Sequence, residues 1–175
     1  MIYQVALPFP REDIIKYRAG DELFLNGVIY TARDAAHKKL SELLQAGQPL
    51  PLPLENQVVY YTGPAPAPPR RPIGSAGPTT SDRMDPFTPE LLDRGLSAVI
   101  GKGPRSAEVQ KSLRKNQALY LGALGGAGAL YARAVTAAEI IAFPELGAEA
   151  VRRLTVRNFP VIVLYDCRGG NLYNR

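Results

Sequence analysis

Residues 22–40, ELFLNGVIYTARDAAHKKL, contain the change of period that decides the fold. Residues 22–31 are two short apolar runs about Asn26-Gly27, a pair that strongly signals a tight turn, and they read as a β-hairpin. The spacing then lengthens. Ala36, Leu40, Leu43 and Leu44 recur at helical intervals and Gly47 closes the run. Thr31, with Asp34 three residues later, has the order of a capping box, so the helix is expected to start at a Thr31 N-cap.

The same alternation continues on both sides. IYQVAL (2–7), NQVVYYT (56–62), LSAVIGKG (96–103) and VIVLYD (161–166) read as strands. TPELLDRG (88–95) reads as a short helix capped by Thr88 with Pro89 in its first turn, and SAEVQKSLRKN (106–116) as a longer one. ALYLGALGGAGAL (118–130) starts as a strand and opens into a glycine-rich turn. There is no repeat and no heptad. Strands and helices mixed in this order predict an α/β (mixed α+β) fold with a mixed sheet flanked by helices, and 175 residues suit one domain over 1–175.

The balance of residue types excludes several classes. The net charge is +5, but lysine and arginine form no block longer than PRR at 69–71, so no basic stripe for nucleic acid is present. A small acidic ligand or an acidic partner accounts for the surplus as well. The single cysteine, Cys167, rules out a disulfide framework and a metal cluster held by this chain's own thiolates, and suits a reducing, cytoplasmic setting. No charged-then-apolar leader appears at the start, and no run approaches the ~20 apolar residues of a membrane span.

Three cations stand where structure alone would not put them. Arg33 falls in the first turn of the predicted helix, against the helix dipole but beside N–H groups suited to an anion. His37 lies one turn on, on the same side. Arg83 ends GSAGPTTSDRM (74–84), whose glycines allow close approach, whose Thr79, Thr80 and Ser81 offer hydroxyls, and whose Ser81 can cap the next turn. Lys102 sits between two glycines at the carboxyl end of an apolar strand, where ligands of open α/β sheets bind. Each has a plainer reading: Arg33 paired with Asp34 or a nearby loop, Arg83 in solvent, Lys102 exposed on a tight turn. No phosphate-loop or dinucleotide glycine spacing is present. Together the cations point to a small polycarboxylate.

Several segments in order, GDELFLNGVIYTARDAAHKKL, VVYYTGPAPAPP, RPIGSAGPTTSDRMD, VIGKGP, ALGGAGAL and PVIVLYDCRGGNLY, resemble the β subunit of class I, iron–sulfur-dependent fumarate hydratase and L(+)-tartrate dehydratase, or the C-terminal domain of the one-chain fumarases. The likeness runs from about residue 20 to residue 173. It implies a swivelling β/β/α domain and a [4Fe-4S] cluster ligated by the partner alpha subunit rather than by this chain. It also implies an alpha2beta2-type heteromer and a dicarboxylate substrate. Matching positions imply Arg33, Arg83 and Lys102 on the substrate carboxylates and Thr79 as the proposed general base at the reacting carbon. His37, Thr80 and Ser81 would stand behind them. Where the family commonly has glycine this chain has Asp82, which is expected to face solvent. The expected activity is fumarate hydration, active only with the alpha subunit. The alternatives are tartrate dehydration and a carboxylate-binding or assembly module without catalysis.

Overall fold

The computed structural model describes residues 1–174. Strands β1 (Ile2–Ala6), β2 (Glu22–Thr31), β3 (Val58–Tyr60), β4 (Ala98–Gly101), β5 (Leu119–Gly122), β6 (Val135–Ala142) and β7 (Val151–Tyr165) form one seven-stranded sheet. The helices are α1 (Arg11–Ile14), α2 (Asp34–Gln45), α3 (Thr88–Asp93), α4 (Ala107–Lys115) and α5 (Gly128–Ala134). The class is the mixed α+β architecture expected. β1 to β5 pair in parallel, and β7 runs antiparallel to β2, β5 and β6. Because β7 joins β5 to β2, the ladder β2-β3-β4-β5-β7 closes on itself, and β1 and β6 remain as the outer strands.

Alternation along the strands builds two cores. Val58, Tyr60, Ala98, Ile100, Leu119 and Leu121 face one cluster, with Leu23, Leu25 and Phe159, and it is sealed by Tyr131 of α5. The intervening Val59, Tyr61, Val99 and Tyr120 face the other, under Ala36 and Leu40 of α2, Leu91 and Leu92 of α3, and Val109 and Leu113 of α4. Each fully buried aliphatic or aromatic side chain contributes roughly 1.5–3 kcal/mol relative to exposure.

The expected hairpin at Asn26-Gly27 does not form: Glu22–Thr31 is one continuous strand. Its partner register jumps from Leu25↔Phe159 to Gly27↔Val156, so Arg157 and Asn158 together oppose Asn26 in a β-bulge. Asn26 Oδ1 accepts the Asn158 N–H at 2.9 Å and the Asn26 carbonyl accepts from Leu7 N at 2.7 Å. Gly27, at φ +132°, leaves room for Leu7, whose Cβ would stand 2.9 Å from any side chain there. The pair that signals a turn serves here a kink and a close backbone approach.

The helix starts also differ. α2 begins two residues later than the capping box implied, with Arg33 at the N-cap position, because Thr31 is still strand and its hydroxyl bonds Arg152 N and the Ala150 carbonyl. Its buried residues are Ala36, His37 and Leu40, while Leu43 and Leu44 are only partly covered. Phe87, not Thr88, is the N-cap of α3, since the Thr88 hydroxyl turns back to the Met84 carbonyl at 2.9 Å. α4 starts as expected, Ser106 accepting from Val109 N at 3.2 Å. α5, β6 and the first half of β7 lie in residues with no periodic signal.

Candidate functional site

The parallel strands deliver their carboxyl ends to one rim of the closed sheet. Arg33 follows β2, Tyr61 to Gly63 follow β3, and Lys102 follows β4. The loop GSAGPTTSDRM is laid across these ends by hydrogen bonds. Gly74 N and the Ser75 carbonyl pair with Ala65, and Ala76 N with the Gly128 carbonyl. The Tyr60 hydroxyl bonds the Ala76 carbonyl, and the Thr62 hydroxyl donates to the Gly77 carbonyl at 2.7 Å. Thr79 N donates to the Tyr61 carbonyl at 2.7 Å and Ser81 N to the Lys102 carbonyl at 3.0 Å, and Thr80 makes an isolated β-bridge to Lys102. The long loop is thus pinned at nearly every second residue, which is why it carries so little apolar surface and still holds one shape. At Gly101 a side chain would overlap the Ser81 hydroxyl, and at Gly128 one would overlap Ser75.

The structure therefore gathers Arg33, Thr79, Arg83 and Lys102 on one rim. Thr79 is 9% exposed. Arg83, on the 3-10 turn Ser81–Met84, is 53% exposed, with Nη1 3.5 Å from Asp34 Oδ2. A half-exposed pair of this kind is worth about 0–1 kcal/mol, so a ligand could draw Arg83 away at small cost. Arg33 Nε lies 3.8 Å from Glu149 Oε1 without a hydrogen bond. Glu149 Oε1 also accepts the Ala35 N–H at 3.3 Å, so that amide of the α2 start is already bonded, whereas the sequence suggested N–H groups free for an anion. The Lys102 side chain is exposed and passes Gly125, and it makes no ion pair among the described residues. Asp82 is exposed.

The residues expected behind them divide. Thr80 is exposed on the rim. Ser81 is fully buried and caps nothing; its hydroxyl lies 2.8 Å from the Tyr120 hydroxyl. His37 is 1% exposed, with Nδ1 2.8 Å from the Arg33 carbonyl and its ring against Tyr61 and Phe87. A carbonyl only accepts, so Nδ1 carries the proton of the neutral ring. Burial, reinforced by the Arg105 charge and opposed by the Arg33 hydrogen bond, pushes the His37 pKa down to about 4. His37 supports Arg33 from inside the protein.

This position has a pH consequence. An unfolded histidine binds its proton near pH 6.5, whereas folded His37 does so only near pH 4. Between these values the unfolded chain takes up more protons, so stability is complete above about pH 6.5 and falls as the pH drops toward 4. Chemical denaturation at a series of pH values is expected to show this slope, and His37→Phe is expected to flatten it.

Sequence reasoning missed Arg105. Its side chain is fully buried, with Nε 2.6 Å from Asp85 Oδ1, and Nη2 2.8 Å from Thr88 Oγ1 and 3.3 Å from the Tyr61 hydroxyl. The signal existed: an arginine just before the Ser106 N-cap is as misplaced against a helix dipole as one at position 33.

A cleft of about 280 Å³ lined by Ala65, Pro72, Ile73, Ile140 and Arg152 lies beside the loop and contains none of the four rim residues, which stand on a shelf where Arg83 and Lys102 are exposed and Thr79 is buried. Among the described residues no group of three or more histidine, cysteine or acidic side chains could hold a metal ion. Cys167 is buried in the first core, and burial pushes its thiol pKa up. The described residues therefore do not fit an iron–sulfur cluster. Among the described residues no helix is long and apolar enough to cross a membrane.

Fold and shelf together define a mixed α+β module with a cationic rim. The chain belongs to the family described as Fumarase C-terminus, whose model matches residues 3–175. It is 40% identical over 171 residues to fumarate hydratase 1, mitochondrial, of Leishmania major, covering 97% of this chain and 31% of that protein. It is 38% identical over 178 residues to the anaerobic class I fumarate hydratase of Escherichia coli K12, covering 98% and 32%. The chain thus spans about a third of the length of these relatives. Against the "Putative L(+)-tartrate dehydratase subunit beta" of Methanocaldococcus jannaschii the identity is 39% over 173 residues, covering 93% of this chain and 87% of that one.

Proposed function

We propose that this chain is the beta subunit of a heteromeric [4Fe-4S] hydro-lyase, a fumarate hydratase interconverting fumarate and L-malate. In this role it supplies the carboxylate-binding cations and a threonine at the reacting carbon. The observation that carries it is the single rim on which Arg33, Arg83 and Lys102 surround the anchored Thr79 segment. Removing a proton from the carbon beside a carboxylate drives negative charge onto that carboxylate. Cations held there stabilise the transition state more than the ground state. Arg33, Arg83 and Lys102 would bind and orient the two carboxylates, and the Thr79 hydroxyl would handle the proton. The hydroxyl end of the substrate, where a poor leaving group calls for a Lewis acid, is assigned to the cluster-bearing alpha subunit. The exposure of Arg83 and Lys102 supports a site closed by a second surface.

The second reading keeps fold and chemistry and changes the acid to L-tartrate, giving oxaloacetate. The Methanocaldococcus relative favours it, because a protein named "Putative L(+)-tartrate dehydratase subunit beta" is 39% identical over 173 residues, much as the fumarate hydratases are.

The test is anaerobic mixing of this chain with its alpha subunit and reconstituted cluster, following loss of fumarate absorbance and then repeating with L-tartrate. Fumarate turnover only in the mixture is the expected result. Tartrate turnover instead moves the substrate. A stable complex that turns over neither acid leaves a carboxylate-binding or assembly module.

A further inference from the structure

Arg105 lies outside the rim, yet the attachments of the Thr79–Asp85 segment converge on it. Its guanidinium lies between the rings of Tyr61 and Tyr120, 5.2 Å and 4.9 Å from their centroids. The Tyr61 carbonyl holds the Thr79 amide, and the Tyr120 hydroxyl lies 2.8 Å from both Ser81 Oγ and the Gly103 carbonyl. Arg105 Nε holds Asp85, whose other oxygen accepts Ser106 N at 2.8 Å. Nη2 holds Thr88 Oγ1, which in turn bonds the Met84 carbonyl. Thr79, Ser81, Met84 and Asp85 are thus each one residue or less from this one buried cation, and they enclose Arg83. Burial opposes the charge, and Tyr61 and the Asp85 carboxylate outweigh it.

We propose that Arg105 is a positioning residue that sets the attitude of the Thr79–Asp85 segment, and so of Thr79 and Arg83, over the rim. The catalytic part of this inference rests on the function proposed above; the positioning part does not. A planar fork can bond Asp85 and Thr88 at once while stacking between two rings, whereas a lysine keeps the charge but has neither the fork nor the flat face.

The test compares Arg105→Lys with Leu154→Val, a substitution in the other core chosen as a control for general loosening. Amide hydrogen exchange in the full chain is read at Thr79 and Ser81, residue by residue. Arg105→Lys is expected to speed both amides about 10-fold or more, with those of β2 unchanged, while Leu154→Val leaves Thr79 and Ser81 within about twofold. If Arg105→Lys does not fold, Arg105→Met combined with Asp85→Asn removes the buried charge together with that of its partner and gives the same reading. Exchange at Thr79 and Ser81 that is unaltered, or equally raised in the control, overturns the assignment. In the assembled enzyme kcat is expected to fall about 10-fold or more, with KM changed less than about threefold. Altered exchange in a chain whose wild-type complex turns over neither acid would leave the anchor standing and sink the functional reading. Unaltered exchange with an active wild type would sink the anchor alone.

Discussion

Thr79→Ala in the assembled enzyme is expected to lower kcat by about 100-fold or more, with thermal stability close to wild type. The magnitude is that of losing a group that transfers a proton in the transition state. The substitution leaves the segment in place, because Thr79 is held through its backbone: the amide bonds the Tyr61 carbonyl at 2.7 Å, and neighbouring Ser81 is bonded to Lys102. Although the position is buried, only a hydroxyl and a methyl are removed, and that hydroxyl makes no hydrogen bond among the described residues. Thr79→Ser, which restores the hydroxyl, is expected to recover much of the activity. Steady-state kinetics beside a thermal melt decide the matter. An alanine variant that keeps kcat within a few-fold of wild type would mean that the proton is handled elsewhere and that this chain contributes binding alone.

Lys102→Met is expected to lower kcat/KM by about 10- to 100-fold and to leave the fold untouched. A charge-assisted hydrogen bond to a carboxylate is worth about 1.5–3 kcal/mol, and about 1.4 kcal/mol is a factor of ten. The Lys102 side chain is exposed, and the rim uses its backbone: its carbonyl accepts Ser81 N and its strand position bridges Thr80. Methionine keeps that backbone and most of the apolar stem. Arg83→Met should behave alike, since the pair it gives up with Asp34 is weak. The measurement is kcat/KM at two ionic strengths, with the wild-type advantage shrinking at high salt. Unchanged kinetics in both variants would remove the two cations from the site.

The parts legible in the sequence were those where one local signal had one structural meaning. Ser106 capped its helix and Gly47 followed the end of another because no tertiary contact competed. Asn26-Gly27 misled because the bulge on β7 and the approach of Leu7 need the same backbone permissiveness as a turn. The first half of β7, VRRLTVRN, alternates arginine with apolar residues too irregularly to announce a strand. It is ordered by β2 and β6 on its two sides, which no local window contains. Among the candidate site residues, Arg33, Arg83 and Lys102 stood out as charges placed against the grain of their local structure, and the resemblance named their roles. Arg105 met the same criterion. Its meaning depends on two tyrosines, at 61 and 120, that the sequence shows only as members of apolar strands.

In the proposed assembly the exposed shelf would make competence a matter of mass action. A site whose second wall is another molecule is complete only in the fraction of chains that have found one, so in the proposed assembly the rate per chain would fall on dilution below the dissociation constant. Tethering the second wall to the same polypeptide would replace that equilibrium by an effective concentration, in the millimolar range for a short flexible link. The fused arrangement would then resist dilution without a single new contact at the rim.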